Sequence, residues 1–322
     1  MEKYMIFSKL FYSATIICLI LITVVTKAQQ PLTYNVIVEG NMYSGIPNEG
    51  IIRVNISDQR QFHRFDPFMV IKPNETVMFR LQGKFMYAVS STGIGGSGSG
   101  QSFYTLVRMP LDKFQLDKSG DMKVPSIKSL QDTPDYLASK NQIILEPLLK
   151  ASTNSAVLMI PLYYDFTIGT NDQITLYISH GKNLEVWRHP NVEDAKWIKG
   201  ELLDLVVDES FIVIDEGGTE SILLTESGEI HHLNGKSHTN LTQEKSKIKN
   251  LADRENDIPM FIENKDSGER WIVNTKRRSD GTVAVSNSRS IKAGKIEDSA
   301  LPANLANALN NTLKIKSDSG KK

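Results

Sequence analysis

Short β-type runs separated by turn residues recur along the chain from residue 32 to residue 286. The runs Leu32–Val38 (LTYNVIV) and Ile51–Ser57 (IIRVNIS) are rich in β-branched and aromatic residues, and the turn cluster IPNEG lies between them. This composition predicts strands joined by turns. The first hundred residues of the β-rich part lack the helical period that a parallel βαβ unit requires. The chain is therefore predicted to be mainly β.

The β pattern is interrupted once, between Pro110 and Ser155, where polar and turn-forming residues are frequent. We therefore predict two β-sandwich or barrel-like domains with a short C-terminal helix. The predicted boundaries are 1–28 for a signal peptide, 29–125 for an N-terminal β domain, 126–150 for a linker with a short helix, 151–298 for a second β-rich domain, and 299–322 for a C-terminal helix and disordered tail.

The C-terminal helix is predicted from a leucine pattern. Leu301, Leu305, Leu309 and Leu313 recur every four residues, and Pro302 stands near the start. Such spacing places the leucines on one face of an amphipathic helix. We expect this face to pack on the second β domain, with a partner-binding helix as the alternative.

The first 28 residues have the layout of a secretory signal. Lys3 and Lys9 precede an apolar run of 12 residues, Ala14–Val25, and the segment ends at Ala28. Spanning a bilayer takes roughly 20 apolar residues, so we interpret the segment as a cleaved signal rather than a retained anchor. We expect an exported protein of the periplasm, cell surface or extracellular space, without a stable transmembrane segment after signal removal.

The position of the single cysteine and the balance of charges limit the cellular compartment and the ligands that the protein can be expected to have. The one cysteine, Cys18, lies within the predicted signal, so the mature chain would contain no disulfide. This is more typical of a bacterial envelope protein than of an animal secreted domain. The chain has 37 basic and 37 acidic residues, a balance that gives no general attraction to nucleic acid.

A glycine-serine tract, GIGGSGSG from Gly93 to Gly100, matches a dinucleotide-binding pattern by letters alone. That motif requires a following helix whose N-terminus faces the phosphates. The following segment Phe103–Met109 is β-like, and the tract contains no lysine. We therefore predict a connection between two strands and no nucleotide. The candidate binding-loop residues are Gly93, Gly95, Gly96, Gly98 and Gly100, with the nearby aromatic residues Phe62 and Phe65.

Neither a catalytic group nor a metal site can be assembled from the histidines. His63 and Asp66 would suit acid–base chemistry, but no serine has a nucleophile-elbow context. His231 and His232 are adjacent on a predicted strand and would face opposite sides of a sheet. We therefore predict no catalytic residue, no metal and no cofactor. Three further histidines, His180, His189 and His238, lie in the same part of the sequence as His231 and His232.

Acidic residues are frequent in the second predicted domain. A glycosidase needs two carboxyl groups about 5 to 10 Å apart across the scissile bond, and spacing along the chain does not establish such a pair. The candidates are Asp165, Asp172, Glu201, Asp204, Asp208, Asp215 and Glu216.

The segment NKDSGERW, residues 264–271, resembles the Asp-box hairpin of sialidase-type propellers. Asp266, Gly268 and Trp271 match the pattern, whereas Asn264 and Arg270 depart from it. The resemblance implies a hairpin of the kind found in propeller blades. Residues 155–292 have room for only about three blades of typical length, and a propeller has at least four. We therefore interpret the segment as a well-formed hairpin.

Together these features favour an exported, non-catalytic β protein of the cell envelope or surface that acts in binding, adhesion or assembly of a surface structure. The expected partner is an envelope or surface protein, or a glycan, rather than nucleic acid or nucleotide. The alternative is a secreted carbohydrate-active hydrolase that uses a carboxylate pair.

Overall fold

A computed structural model describes most of the chain after residue 31. The described residues are 32–46, 50–58, 62–64, 78–93, 102–113, 115–116, 122–123, 142–148, 163–179, 182–192, 194–244, 257–277, 283–292 and 295–310.

Strands dominate the described residues. The first ten are β1 Thr33–Val38, β2 Asn41–Ile46, β3 Gly50–Asn55, β4 Phe62–Arg64, β5 Phe79–Gln82, β6 Phe85–Gly93, β7 Ser102–Pro110, β8 Gln115–Leu116, β9 Met122–Lys123 and β10 Gln142–Ile144. The others are β11 Tyr163–Ile168, β12 Ile174–Ser179, β13 Leu184–His189, β14 Ile198–Leu203, β15 Phe211–Gly217, β16 Glu220–Thr225, β17 Ile230–Asn234, β18 Ser237–Asn240, β19 Asp257–Asn264, β20 Arg270–Arg277, β21 Val283–Lys292 and β22 Lys295–Asp298.

Helices are few and short within these ranges. A 3₁₀ turn occupies Leu111–Lys113, single helical turns occupy 146–148 and Leu241–Glu244, and the C-terminal helix spans 303–310.

The strands of the described ranges form five four-stranded antiparallel meanders in chain order. They are β1 to β4, then β5, β6, β7 and β10, then β11 to β14, β15 to β18, and β19 to β22. The first and fifth meanders join through β1 and β19, which pair in parallel with Thr33 opposite Met260, and so make one eight-stranded sheet. The short hairpin of β8 and β9 is inserted in the second meander.

The first strands of the five meanders lie together at the centre. β1 packs beside β5, β5 beside β11, and β11 beside β15, while β19 completes the set through its ladder with β1. Among these neighbours, the described sheets join β1 to β19 by a ladder, whereas β1 and β5, β5 and β11, and β11 and β15 pack together without pairing. The described strands therefore do not close into a barrel. Four-stranded antiparallel sheets whose first strands lie together at the centre resemble the blades of a propeller. Three meanders lie within 163–298, and the other two lie within 33–144.

The central strands are nearly continuous runs of apolar residues because both of their faces are buried. The largest core cluster contains Tyr34 of β1, Phe79 of β5, Ile214 of β15 and Phe261 of β19. Strands covered on both faces lose the alternation of apolar and polar residues. The cluster and the eight-stranded sheet both combine residues from either side of the predicted domain boundary. The boundaries themselves stay a prediction.

The C-terminal helix covers one face of the eight-stranded sheet. Leu305 and Leu309 are buried and share a core cluster with Met260 of β19 and Trp271 of β20. The four-residue leucine spacing thus correctly identified the packed face, because positions four apart lie above one another on a helix. Leu313 lies outside the described residues.

The hairpin predicted at 264–271 joins β19 and β20. Gly268 has a φ of 73°, a left-handed conformation that glycine adopts without a Cβ penalty. The Asp266 carboxylate accepts hydrogen bonds from the backbone N–H of Glu39 (2.8 Å) and Gly40 (3.0 Å). The matched aspartate therefore ties this hairpin to the turn between β1 and β2.

The predicted fold class is confirmed: the protein is mainly β, with several sandwich-like sheets and a short C-terminal helix. Across the described ranges, no helix is long and apolar enough to span a membrane.

We expect Leu309→Ala to lower the free energy of unfolding by about 2–5 kcal/mol, because it leaves a cavity between the C-terminal helix and the sheet. Urea unfolding followed by tryptophan fluorescence measures the change. Asn304→Ala, at an exposed position of the same helix, is the control and should change stability by less than about 0.5 kcal/mol. Equal effects of the two substitutions would show that the helix is not docked.

Candidate functional site

A central cleft of about 120 Å³ opens where the first strands of the meanders meet. Each first strand contributes at least one lining side chain, and the β19–β20 hairpin contributes two more. The cleft is lined by Tyr34, Arg80, Leu81, Gln82, Thr167, Ile168, Thr170, Ile214, Asp215, Glu263, Lys265 and Arg270. Three of these residues are aliphatic, and the others carry hydrogen-bonding groups.

Glu263 is the most firmly held carboxylate of the cleft. The Tyr34 hydroxyl donates a hydrogen bond of 2.7 Å to Glu263 Oε2. Two cations lie nearby, with Arg270 Nη2 3.7 Å from Oε1 and Lys265 Nζ 4.0 Å from Oε2. Burial, with a further contribution from Glu263, raises the pKa of the Tyr34 hydroxyl well above its usual range. Tyr34 therefore stays protonated and acts as a donor.

Arg270 connects the fifth meander to the fourth. Its Nη1 donates to Glu216 Oε1 at 2.5 Å, and its Nη2 donates to the backbone oxygen of Asp215 at 2.9 Å. The planar guanidinium presents several donors in a fixed fork, so one side chain bonds to β15 twice while it faces Glu263. This contact positions β15 against β19, two first strands that share no ladder in the described sheets.

Asp215 is the less restrained carboxyl group. Its side chain is half-buried, and the N–H of Gly217 approaches Oδ1 at 3.4 Å. Burial raises the pKa of the Asp215 carboxyl; the Gly217 N–H opposes that shift, and the Glu263 carboxylate adds to it. The cleft thus contains a carboxyl group that holds its proton to higher pH, beside a carboxylate with hydrogen-bond and ionic partners.

A buried ion pair of Arg80 and Asp165 borders the cleft, which Arg80 helps to line. Asp165 is 2% exposed and also accepts a hydrogen bond of 2.7 Å from the N–H of Val213. Arg80 donates to the backbone oxygens of Phe79 (2.7 Å) and Val213 (3.0 Å), and its guanidinium stacks on the Tyr34 ring, 4.2 Å from the centroid. Burial raises the pKa of Asp165, and the Arg80 charge opposes that shift. The pair joins β5, β11 and β15.

The structure separates the acidic residues proposed from the sequence. Asp165, Asp215 and Glu216 lie at the centre. Asp172, Asp204 and Asp208 are exposed. Glu201 forms an ion pair of 2.6 Å with Arg188. Burial raises the pKa of the Glu201 carboxyl, but hydrogen bonding and the positive charge of Arg188, together with a backbone hydrogen bond, lower it overall.

Several residues of the cleft were missed by the sequence reasoning. The overlooked residues are Tyr34, Arg80, Glu263, Lys265 and Arg270. A usable signal existed in some strands, because a charged residue interrupts an apolar run, as in the segments MFRL at 78–81 and YYDFT at 163–167. Such a charge must be paired where it is buried.

The predicted binding loop is largely outside the described residues. Gly93 ends β6 and pairs with Ser102 of β7, so the tract connects two antiparallel strands. Phe62 begins β4 opposite Val54 of β3. Gly95, Gly96, Gly98, Gly100 and Phe65 lie outside the described residues, as do Asp66 and His180. Their role in binding stays a prediction.

The histidines are dispersed among several sheets. His63 lies in β4 and His189 ends β13, where its Nε2 is 3.1 Å from the backbone oxygen of Ala195. His231, His232 and His238 lie in β17 and β18. In the described part of the chain, no group of three or more histidine, cysteine or acidic residues is placed to hold a metal ion.

Comparison with known proteins yields only distant structural similarity. No family model and no curated protein matches the chain. Sucrose-6-phosphate hydrolase from Lactobacillus gasseri aligns with 85% of this chain and 61% of its own at 13% identity and a TM-score of 0.45. A GH43 β-1,3-galactosidase with galactodeoxynojirimycin aligns with 85% of this chain and 94% of its own at 7% identity and a TM-score of 0.42. The chain thus spans about six tenths of the first protein. Similarity at this level assigns neither a family nor an activity.

We expect the Arg80–Asp165 pair to behave as one unit. Arg80→Met or Asp165→Leu alone should destabilise the protein by about 3–5 kcal/mol, because each leaves the other charge buried and unpaired. The double variant should cost much less than the sum of the two. Urea unfolding of the four proteins gives the coupling free energy. Additive costs would mean that the two charges do not depend on each other.

The Asp215 pKa predicts a pH effect on stability. Because its folded-state pKa lies above the unfolded value, the native state binds more protons between the two, and stability falls as pH rises through that window. Asp215→Asn should therefore be more stable than the wild type at neutral pH, and the gap should narrow as pH falls through that window and close below about pH 4. Thermal melting across pH tests this. Asp208→Asn, which neutralises an exposed carboxylate, is the control, and a constant gap for Asp215→Asn would contradict the assignment.

Proposed function

We propose that the protein is exported and acts as a non-catalytic binding component of the cell envelope or surface, with the central cleft as its ligand site. The proposed ligand is neutral and polyhydroxylated, such as a saccharide unit of an envelope glycan. The observation that carries the proposal is the juxtaposition of Asp215 and Glu263 with Arg270 and Lys265 in one cleft.

Charge balance supports a neutral ligand. Arg80 is compensated by Asp165, Arg270 by Glu216, and Lys265 lies beside Glu263. An added anion or cation would therefore enter a cleft without a complementary excess of charge. A neutral polyol meets no such penalty.

Hydrogen-bonding chemistry supports hydroxyl groups in particular. A hydroxyl both donates and accepts, so neighbouring hydroxyls of a sugar can donate to a carboxylate while they accept from a cation. The cleft provides carboxylate acceptors in Asp215 and Glu263, and donors in Lys265 and Arg270. The aliphatic side chains of Ile168 and Ile214 offer surface for the C–H face of a ring. A few polar groups set in apolar walls are typical of ligand sites.

A second candidate is the carbohydrate-active hydrolase. The specific observation in its favour is the difference between the two carboxyl groups, since burial raises the pKa of Asp215 while Glu263 has ionic partners. Acid–base pairs in glycoside hydrolysis combine a protonated carboxyl group with an ionised one. In this reading Asp215 donates the proton and Glu263 acts as the carboxylate.

Glycan binding tests the proposal. Isothermal titration of the purified protein with neutral, uronic-acid and amino saccharides should show saturable binding of a neutral member. Glu263→Gln should weaken that binding about tenfold or more, since hydrogen bonds to a charged group contribute about 1.5–3 kcal/mol. Glu297→Gln removes the same charge from the exposed face of β22 and should bind as the wild type does.

The outcomes separate the two functions. Binding without turnover supports the binding role. Release of reducing sugar that is lost in Asp215→Asn identifies the hydrolase. Absence of saturable binding to any saccharide, or equal affinity of the Glu263→Gln and wild-type proteins, would overturn the assignment of the cleft.

A further inference from the structure

Two histidines lie side by side in the outer half of the fourth meander. His231 is on β17 and His238 is on β18, and the register places Leu233 opposite His238 and Asn240 opposite His231. The two histidines are therefore diagonal neighbours on one face of the sheet. Their ring centroids are 5.8 Å apart, and the rings are inclined at 55°. His231 is only 4% exposed.

The hydrogen-bond partners determine which nitrogen of each ring carries the proton. Nε2 of His231 is 3.4 Å from Oε2 of Glu229, and Nε2 of His238 is 3.1 Å from the backbone oxygen of Asp204. A carboxylate and a carbonyl oxygen only accept, so both Nε2 atoms must be donors. In the neutral rings, each Nδ1 then carries a lone pair.

These two lone pairs are buried without a donor. Within the described residues, Nδ1 of His231 and Nδ1 of His238 have almost no solvent exposure and no hydrogen-bond partner. A buried polar atom left without a partner is costly, and native structures rarely retain one without a reason.

We propose that Nδ1 of His231 and Nδ1 of His238 together bind one divalent transition metal ion, such as Zn²⁺, between β17 and β18. Imidazole nitrogens suit zinc, copper and nickel. Two imidazoles on one tetrahedral zinc ion, with bonds of about 2.0–2.1 Å, have centroids about 5 Å apart. The observed centroid separation of 5.8 Å is within about 1 Å of that value.

The contacts at Nε2 fit this assignment. A histidine that binds a metal usually donates its other N–H to a carboxylate or a backbone carbonyl, which fixes the ring and strengthens the ligand. Glu229 and the Asp204 carbonyl occupy these positions for His231 and His238. Because no third acidic or histidine ligand converges in the described residues, water would complete the coordination.

The ion would act as a clamp on the edge of the sheet. In the described sheets, β18 is the last strand of its meander and pairs with β17 alone. A metal bound to one histidine from each strand would link them in addition to the backbone ladder. We therefore expect saturating Zn²⁺ to raise the melting temperature, since a ligand that binds only the folded state stabilises it.

Zinc titration tests the proposal. After treatment with a chelator and its removal, isothermal titration with Zn²⁺ should give one site per chain. His238→Ala should reduce the affinity at least about tenfold, because one of two protein ligands is lost. His232→Ala is the matched control, since the neighbouring side chain faces the other side of the sheet toward Glu220.

The spectroscopic readout is independent of affinity. Cu²⁺ bound in place of Zn²⁺ should show hyperfine coupling to two nitrogens in the wild type and to one in His238→Ala. Thermal melting in the presence of a chelator establishes that the variant is folded. Absence of saturable binding by the wild type, or equal loss of affinity in His232→Ala and His238→Ala, would overturn the site.

Discussion

The ion pair between Arg80 and Asp165 is the interaction on which the centre of the protein depends. Both side chains are almost fully buried, and removing a charge from water costs far more than an ordinary polar contact recovers. The pair persists because the N–H of Val213 and the backbone oxygens of Phe79 and Val213 satisfy the remaining bonds. One guanidinium thereby brings together β5, β11 and β15, strands that share no ladder in the described sheets.

The central cleft is a consequence of that arrangement. Because the first strands converge, their side chains face a common space, and Glu263 and Asp215 reach it from different meanders. Tyr34 links the buried ion pair to the cleft, since its ring packs under the Arg80 guanidinium while its hydroxyl donates a hydrogen bond to Glu263. The charged groups near the cleft are largely paired with each other, which leaves hydrogen-bonding capacity without a strong net charge. The proposed recognition of hydroxyl groups rests on this combination.

The sequence predicted those features of the fold that depend on local residue patterns. The β-rich composition, the hairpin at 264–271 and the buried face of the C-terminal helix follow from residue type and spacing, and the structure has them. The parallel pairing of β1 with β19 could not be predicted from local patterns, because it joins residues more than 220 positions apart in the chain. The cleft was missed for the same reason. Arg80 and Asp165 each stand within an apolar run, which signals a buried charge, but nothing local identifies the partner. Similarly, His231 and His232 face apart as expected, whereas the neighbour of His231 proves to be His238 on the next strand.

The most direct test of this account is a crystal structure of the protein with a neutral saccharide at saturating concentration. We expect ligand density between Asp215 and Glu263, with hydroxyl groups within hydrogen-bond distance of both carboxyl groups and of Arg270 or Lys265. Density for the saccharide elsewhere, such as at the glycine tract from Gly93 to Gly100, with the cleft filled only by solvent, would contradict it.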